Sequence, residues 1–572
     1  MKKIAALWLA LCAIAANAQQ VDLEHAGKDL KQKFTARPKL GGGIDAGLVY
    51  HQGNAGSGRA PFSYVVSGNV SLSLFSITVP ASFSFTNRGF NYQYRLPSRP
   101  SRLSLHPRYK WITAHLGDAS MTFSPYTLNG HQFTGAGVEL SPRGRFKYSV
   151  MGGQMLRPVM GAESPPGQSS YRRMGYGGKM EWSRDSWRTS VSLFTARDRE
   201  VSLKSTPDSA KPAPMANSAV SVEVQVPLVR NLILKAQYGL SLLNRDVRSG
   251  RRDSVQQNAL AKIAGLGPAA TLYKAVQAGI SYTLGSATVG AGIERIDPGY
   301  QTLGAYYFNN DLENITVNFA QALFKGKLNF TGNAGFQRDD LDHTKMGGSR
   351  RQVSAFSLAY TPGTQFTVVG SYSNFQTFTN VKPQFAYINQ LTPFDNLDTL
   401  NFRQLSQNAN LNCNYLLRSD SGRIRNLNVN LSFQDAADVK AGQITKGNAS
   451  QFYNLSSAYT VSMAAKGLTM SYCFNLTYNT IGANEMLTLG PTVSVGRQLW
   501  KKQGAAQLAM SYNASRNNGM MEGQVANLRL QLNYTYHKKH GLGLSMLGMC
   551  HQRNGAPLRN DATVTVNYHY SL

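Results

Sequence analysis

Three histidines, His106, His115 and His131, fall near Asp118 and Ser124 in one stretch of this sequence. Such residues could supply the base, orienting acid and nucleophile of a hydrolase, provided that they meet in space. No nucleophile elbow and no zinc-ligand spacing accompanies them. With Gly117, Gly130, Gly135, Gly137 and Pro125 among them, the stretch reads more simply as bent strand and tight loop. No catalytic residue is assigned, and an enzyme is not expected.

Two other clusters could bind ions. Asp297, Asp311, Glu313, Asp339, Asp340 and Asp342 gather in a chain with few acids, and carboxylate oxygens suit Ca²⁺. They lack EF-hand spacing, so solvated loop carboxylates are the plainer reading and no cofactor is expected. Arg245, Arg248, Arg251 and Arg252 share the segment RDVRSGRRD. Guanidinium forks match phosphate, so this loop is a candidate clamp for lipopolysaccharide or an acidic ligand, against the alternative of a solvated loop. Beyond the leader, Cys413, Cys473 and Cys550 are odd in number and show no metal spacing, as small unpaired hydrophobes would.

The elements that position these residues are best seen in Ala526–Tyr536, ANLRLQLNYTY. Ala526, Leu528, Leu530, Leu532, Tyr534 and Tyr536 alternate with Asn527, Arg529, Gln531, Asn533 and Thr535. Successive strand side chains point to opposite faces, so this segment has an apolar wall and a wet wall. About ten residues of such alternation suffice for a tilted strand to cross a bilayer. The pattern recurs at Asn426–Gln434, at Leu468–Tyr478 and at the end of the chain, where Val564, Val566, Tyr568 and Tyr570 alternate with Thr563, Thr565, Asn567 and His569. An amphipathic last strand suits the barrel-assembly machinery, although it ends on Leu572 rather than an aromatic residue.

Met1–Ala18 reads as a secretory leader: Lys2 and Lys3, an apolar run, then Ala16-Asn17-Ala18 as the cleavage site. A periplasmic tether, residues 19–40, follows; the barrel is assigned to residues 41–572. The tether is too short to fold as a plug domain. Hydrophobic residues make up 42% of the chain without a helix-length apolar run, as alternating strands require. Formal net charge is +29, two less once the leader is removed. Its Lys and Arg are scattered over turns and loops, which favours anionic lipid head groups over nucleic acid as the counter-charge.

Short reversals near Phe75-Ser76, Pro142–Gly144, Ser183–Ser186, Leu228–Asn231, Gly285-Ser286, Lys325–Lys327, Pro362-Gly363, Arg418–Arg423, Ala465–Gly467, Lys501–Gly504 and Lys538–Gly541 carry turn residues. Between them lie long polar connections: Gly89–Pro107, Leu156–Ser170, Ala196–Asn217, Arg245–Leu266, Asp339–Arg350 and Thr379–Asp398. This asymmetry predicts an all-β fold, a single closed antiparallel transmembrane barrel with short periplasmic turns and long extracellular loops. Two strands per reversal give about 24, with 26 as the alternative because Ile77–Ser141 has room for another pair. Pro80 predicts irregular pairing nearby. Trp182, Trp187 and Trp500 adjoin short turns, as an aromatic girdle would.

Several segments resemble a family of Bacteroidota outer-membrane β-barrel proteins of unassigned function. They include PFSY at 61–64, YKWITAHLGDASMTFSPYTLNGHQFTGAGVEL within His106–Leu140, RMGYGGK at 173–179, DPGYQTLGAYYFNNDLENITVNFAQALFKGKLNF at 297–330, QRDDLD at 337–342 and SYSNFQTFTN at 371–380. The resemblance implies outer-membrane location and barrel architecture, and carries over no functional residue.

The barrel reading gives a lumen lined by Asn428, Asn430, Asn475, Arg529, Gln531 and Asn533. Passive passage of small polar or anionic solutes is the leading expectation. The alternative is a secretion or surface-assembly platform whose lumen holds loops or a periplasmic or surface partner protein. Membrane lipid, lipopolysaccharide and the assembly machinery are the expected partners.

Overall fold

The computed structural model describes residues 38–53, 61–74, 77–87, 102–159, 170–202, 212–248, 265–266, 269–306, 308–344, 350–374, 405–418, 422–436, 439–440, 443–444 and 450–572. The leader, and the tether up to residue 37, lie outside them. Consecutive strands pair antiparallel throughout, and the first, Lys39–Gly53, closes on the last, Arg559–Ser571. The seam runs in register from Gly43↔Ser571 to Gly53↔Asp561. Leu572 N donates to Gly42 O at 3.0 Å, His569 Nδ1 lies 2.7 Å from Asp45 Oδ1, and His51 Nδ1 lies 3.1 Å from Thr563 Oγ1. The ring has no edge.

It contains 26 strands, the alternative count rather than the leading one. The reversal that the sequence concealed is Lys110-Trp111, between Arg108–Tyr109 and Ile112–Thr122. It was hidden because the preceding strand is broken into Arg102–Leu105 and Arg108–Tyr109 by His106-Pro107. Those two residues lie opposite Pro80 and Val79 in the register set by Ala81↔Leu105 and Ile77↔Tyr109. Two prolines close together remove ladder donors from both strands. His106 N still reaches Pro80 O at 2.8 Å, so the wall stays continuous. The irregularity expected at Pro80 is therefore present, on this side of its strand.

Strand register carries each face around the ring. Leu528 pairs with Met510, Met510 with Val493, Val493 with Tyr472, Tyr472 with Tyr459, Tyr459 with Leu427 and Leu427 with Tyr415. Directly paired residues point the same way, so these form one apolar outer belt. Asn412, Asn430, Ser456 and Asn475 pair in turn on the inner face. The predicted inner residues Asn428, Asn430, Asn475, Arg529, Gln531 and Asn533 all take inner parity. Cys473 joins them, whereas Cys413 and Cys550 face outward.

Short turns do lie at one end of the cylinder, but the connections at the other end are not uniformly long or polar. Gly482-Ala483 and Asn518-Gly519 are tight reversals there. The connections expected at Gly89–Pro107 and Ala196–Asn217 are partly strand, because Arg102–Leu105 and Trp187–Arg199 extend into them. Two further connections, between Thr122 and Asn129 and between Ile296 and Leu312, are rich in apolar residues and turn inward.

Parity makes opposite predictions for neighbouring residues. In bilayer-reconstituted protein, Leu528→Arg should cost about 2–4 kcal/mol, because it places a charge in hydrocarbon. Gln531→Arg, facing the wet wall, should leave the urea unfolding midpoint nearly unchanged. Equal losses would contradict the assigned faces.

Candidate functional site

Among the described residues, the inner surface divides into a wall covered by folded loops and a wall whose inner residues are partly exposed at mid-height and towards the short turns. The Phe123–Leu128 connection closes on itself. Phe123 N donates to Leu128 O at 2.8 Å, and Ser124 Oγ accepts Tyr126 N at 3.2 Å while lying 3.0 Å from Thr127 Oγ1. Asp297 starts the second connection by accepting Lys274 N on Oδ2 at 2.8 Å, and its carbonyl accepts Tyr300 N at 3.1 Å. Gly299 takes a left-handed φ of 78° in that turn, where a side chain would be strained.

The two connections bind each other. Tyr300 OH donates to Tyr126 O at 2.8 Å, Thr302 Oγ1 to Thr127 O at 2.7 Å and Asn129 N to Gly304 O at 2.9 Å. Polar inner-wall residues hold the pair in place. Asn217 Oδ1 accepts Leu303 N at 3.1 Å, Ser241 Oγ donates to Gln301 O at 2.6 Å and Lys179 Nζ donates to Phe123 O at 2.9 Å. Tyr126 OH reaches Glu294 Oε1 at 3.4 Å, and Tyr306 stacks on His131 with centroids 4.1 Å apart. Burial pushes the phenols of Tyr126 and Tyr300 above the ordinary tyrosine range, and Glu294 adds to the shift at Tyr126. Both therefore remain neutral donors.

Apolar packing supplies most of the adhesion. Phe123, Leu128 and Leu303 are buried with the inner-wall residues Phe133, Met151, Met155 and Phe194. Tyr126 and Tyr300 pack with Ala275, Ile296 and Leu312. Burying each large side chain contributes about 1.5–3 kcal/mol. Glycine makes room for them: a Cβ at Gly239 would lie 2.7 Å from Tyr126 Cβ, and one at Gly177 would lie 2.9 Å from Phe123 Cε2.

The opposite wall differs in accessibility at mid-height and towards the short turns, whereas its far-end inner residues Gln434, Phe452, Asn479, Asn513 and Val525 are buried as well. Asn217 and Ser241 are fully buried beneath the loops. Asn428, Asn430, Asn475, Arg529 and Gln531 are partly exposed, and Asn533 is exposed. Asn412 and Asn428 exchange side-chain amide bonds at 3.3 and 3.4 Å. Along Leu405–Arg418 the inner positions include Asn408, Asn410, Asn412 and Asn414. Charges at inner positions concentrate towards the short-turn end of the covered side. There Glu181 lies 3.5 Å from both Lys147 and Arg188, and Lys235 projects from Leu232–Asn244.

The structure brings together only parts of the clusters singled out in the sequence. His106 Nδ1 lies 2.9 Å from His115 Nδ1, and His115 Nε2 is 3.7 Å from Glu139. His131 Nδ1 meets Gln132 O at 2.7 Å, while Asp118 accepts Leu103 N and Thr134 Oγ1. Ser124 is engaged within its own loop, so these groups form no nucleophile–base–acid relay. Among the acids, Asp311 accepts Leu341 N, Glu313 is held between Arg295 and Arg338, and Asp342 accepts from Thr344. Among the described residues no group of three or more His, Cys, Asp or Glu could hold a metal ion.

Arg245 donates to Gly299 O at 3.1 Å, bracing the inward loop. Arg248 makes a two-point contact with Asp246 and holds that carboxyl below the usual carboxylate range. Arg251 and Arg252 lie outside the described residues. Trp182 and Trp187 flank the Asp185-Ser186 turn on outward parity, and Trp500 is exposed at the start of another short turn. Trp111, in the concealed turn, joins them at that end. Sequence reading missed the inward loops, although Phe123, Tyr126, Leu128, Tyr300, Leu303 and Phe308 marked apolar character within segments rich in turn formers.

No family model matches this sequence, and no curated protein does. Among solved structures, it is similar to the P pilus usher (PapC) translocation pore, with 10% identity over 93% of this chain and 99% of that one, at a TM-score of 0.41. It is also similar to the FrpB iron transporter from Neisseria meningitidis, with 11% identity over 95% of this chain and 83% of that one, at 0.37. Pseudomonas aeruginosa OpdQ matches at 10% identity over 93% and 98%, at 0.26.

Proposed function

We propose that this chain is an outer-membrane channel through which small polar solutes, anions included, pass without energy input. The supporting observation is the unequal covering of its two inner walls. On one side, Asn217 and Ser241 are sealed beneath packed loops; on the other, Asn428, Asn430, Asn475 and Gln531 stay partly exposed below a far-end stretch in which Asn479 and Asn513 are buried. A ring of 26 strands is roughly 50 Å across at the backbone, for about 4.8 Å between strands and a tilt of roughly 40°. Among the described residues, the two short connections docked against one wall border such a bore rather than fill it. On this flank the inward cations Lys147, Lys179, Arg188 and Lys235 face the inward carboxylates Glu139, Glu181 and Glu223. Inward Arg529 on Met520–Tyr536 adds a further cation, a small excess that favours anions.

Refolded mature chain in a planar bilayer should give stepwise conductance, with reversal potentials in a salt gradient that show anion preference. Folded, inserted protein without conductance would contradict the channel. If native protein then purified with a stoichiometric partner, the assembly-platform reading would gain instead. The docked loops can be tested separately. Gly239→Val should wedge Tyr126 off the wall at a cost of about 1–3 kcal/mol and change single-channel conductance. An unchanged value would mean that these loops do not border the path.

A further inference from the structure

We infer that the short-turn rim is a binding collar for anionic phospholipid head groups. The inference rests on the membrane-barrel reading and concerns one end of the cylinder. Lysines crowd its turns: Lys325 and Lys327 in one, Lys501 and Lys502 in another, Lys538 and Lys539 in a third, all exposed. Among the described residues these six make no ion pair, and the short turns hold two acids by sequence, Asp185 and, outside the described residues, Asp420. Glu181 and Asp185 at this rim meet Lys147, Arg188 and Arg184 and leave the six lysines over, whereas at the far end bases meet acids in Arg295–Glu313–Arg338, Arg173–Asp198, Arg248–Asp246 and Arg553–Glu522. The positive excess of the described chain is thus drawn towards one rim.

Backbone geometry argues that turn formation did not select these lysines. Lys110, Lys325, Lys501, Lys502 and Lys538 have φ between 50° and 72°, a left-handed conformation disfavoured by a side chain. Gly285, Gly422 and Gly467 fill that slot in other short turns. Ten residues with side chains adopt it at this end, among them Asp185, Asn231, Phe324, Trp500 and His537, and five of the ten are lysines. The partner follows from what lies beside the turns. Arg423, Arg425 and Arg497 are exposed on the outward parity of Leu427 and Val495, at the edge of the apolar belt. Trp111, Trp187 and Trp500 are exposed at the same level. Outward cations interleaved with indoles match the head-group layer of a bilayer, where phosphate is the available anion. A soluble acidic protein would not need the outward-facing arginines.

The test uses full mature chain refolded in phosphatidylcholine bilayers with trace spin-labelled phosphatidylglycerol or phosphatidylcholine. Electron spin resonance gives the fraction of each lipid immobilised at the protein. Wild type should hold phosphatidylglycerol at least about threefold over phosphatidylcholine, with the ratio falling in high salt. A variant with Lys501→Gln, Lys502→Gln, Lys538→Gln and Lys539→Gln should approach equal association, whereas Arg295→Gln with Arg338→Gln should keep the wild-type ratio. Lys501→Gly with Lys538→Gly should raise the urea unfolding midpoint while lowering lipid preference, separating charge from turn stability. Equal association in inserted wild type, an unchanged ratio in the fourfold variant, or loss confined to the far-end variant would each overturn the collar. A chain that never becomes protease-protected in phosphatidylcholine would overturn the membrane reading, and this inference with it.

Discussion

A backbone amide in hydrocarbon has no water to bond, so every donor and acceptor of a membrane wall must find a partner in that wall. The rest of this structure follows from that requirement. An open sheet would leave two edges unpaired, and the match between Lys39–Gly53 and Arg559–Ser571 removes both. Once the ring is closed, the two-residue period of a strand divides its side chains between lipid and bore. The outer belt of Leu528, Met510, Val493, Tyr472 and Leu427, and the inner row of Asn412, Asn430, Ser456 and Asn475, are two results of one register.

The conventional protein core of this molecule lies inside the bore. Phe123, Leu128, Phe133, Phe194 and Leu303 are as buried as the core of a soluble domain, yet they are carried by inner wall and connections. Wall glycines admit the rings, while Asn217, Ser241 and Lys179 answer the exposed backbone of the loops. Apolar burial and satisfied polar groups must cooperate here, because a loop pressed against a wet wall would otherwise lose its hydration without replacement. One flank of the cylinder is covered in this way, while Asn428, Asn430 and Asn475 on the other stay partly exposed.

Most of the wall was legible in the sequence because parity is a local property. Leu528, Asn430 and Cys473 each face as their neighbours implied. Strand count depended on a place where alternation fails. Pro80 and Pro107 interrupt one ladder, and the turn at Lys110-Trp111 lacks the glycine or proline that marked most of the others. The inward loops were illegible for a different reason: Tyr126 and Tyr300 acquire their roles from each other, across a separation that no periodicity spans. The partial dispersal of the histidines and acids was likewise fixed by tertiary partners, such as Tyr306 over His131 and Arg338 on Glu313. The charge asymmetry between the two rims became visible only when the turns were gathered at one end.

The central claim is that one wall separates lipid from an aqueous interior at alternate residues. Single cysteines introduced from Ala526→Cys to Asn533→Cys, in a chain with Cys413, Cys473 and Cys550 replaced by serine, would test it directly in bilayers. Fluorophores attached at 526, 528, 530 and 532 should be quenched by brominated lipid, and those at 527, 529, 531 and 533 by aqueous iodide. Quenching that fails to alternate, or alternates with the faces exchanged, would contradict the account.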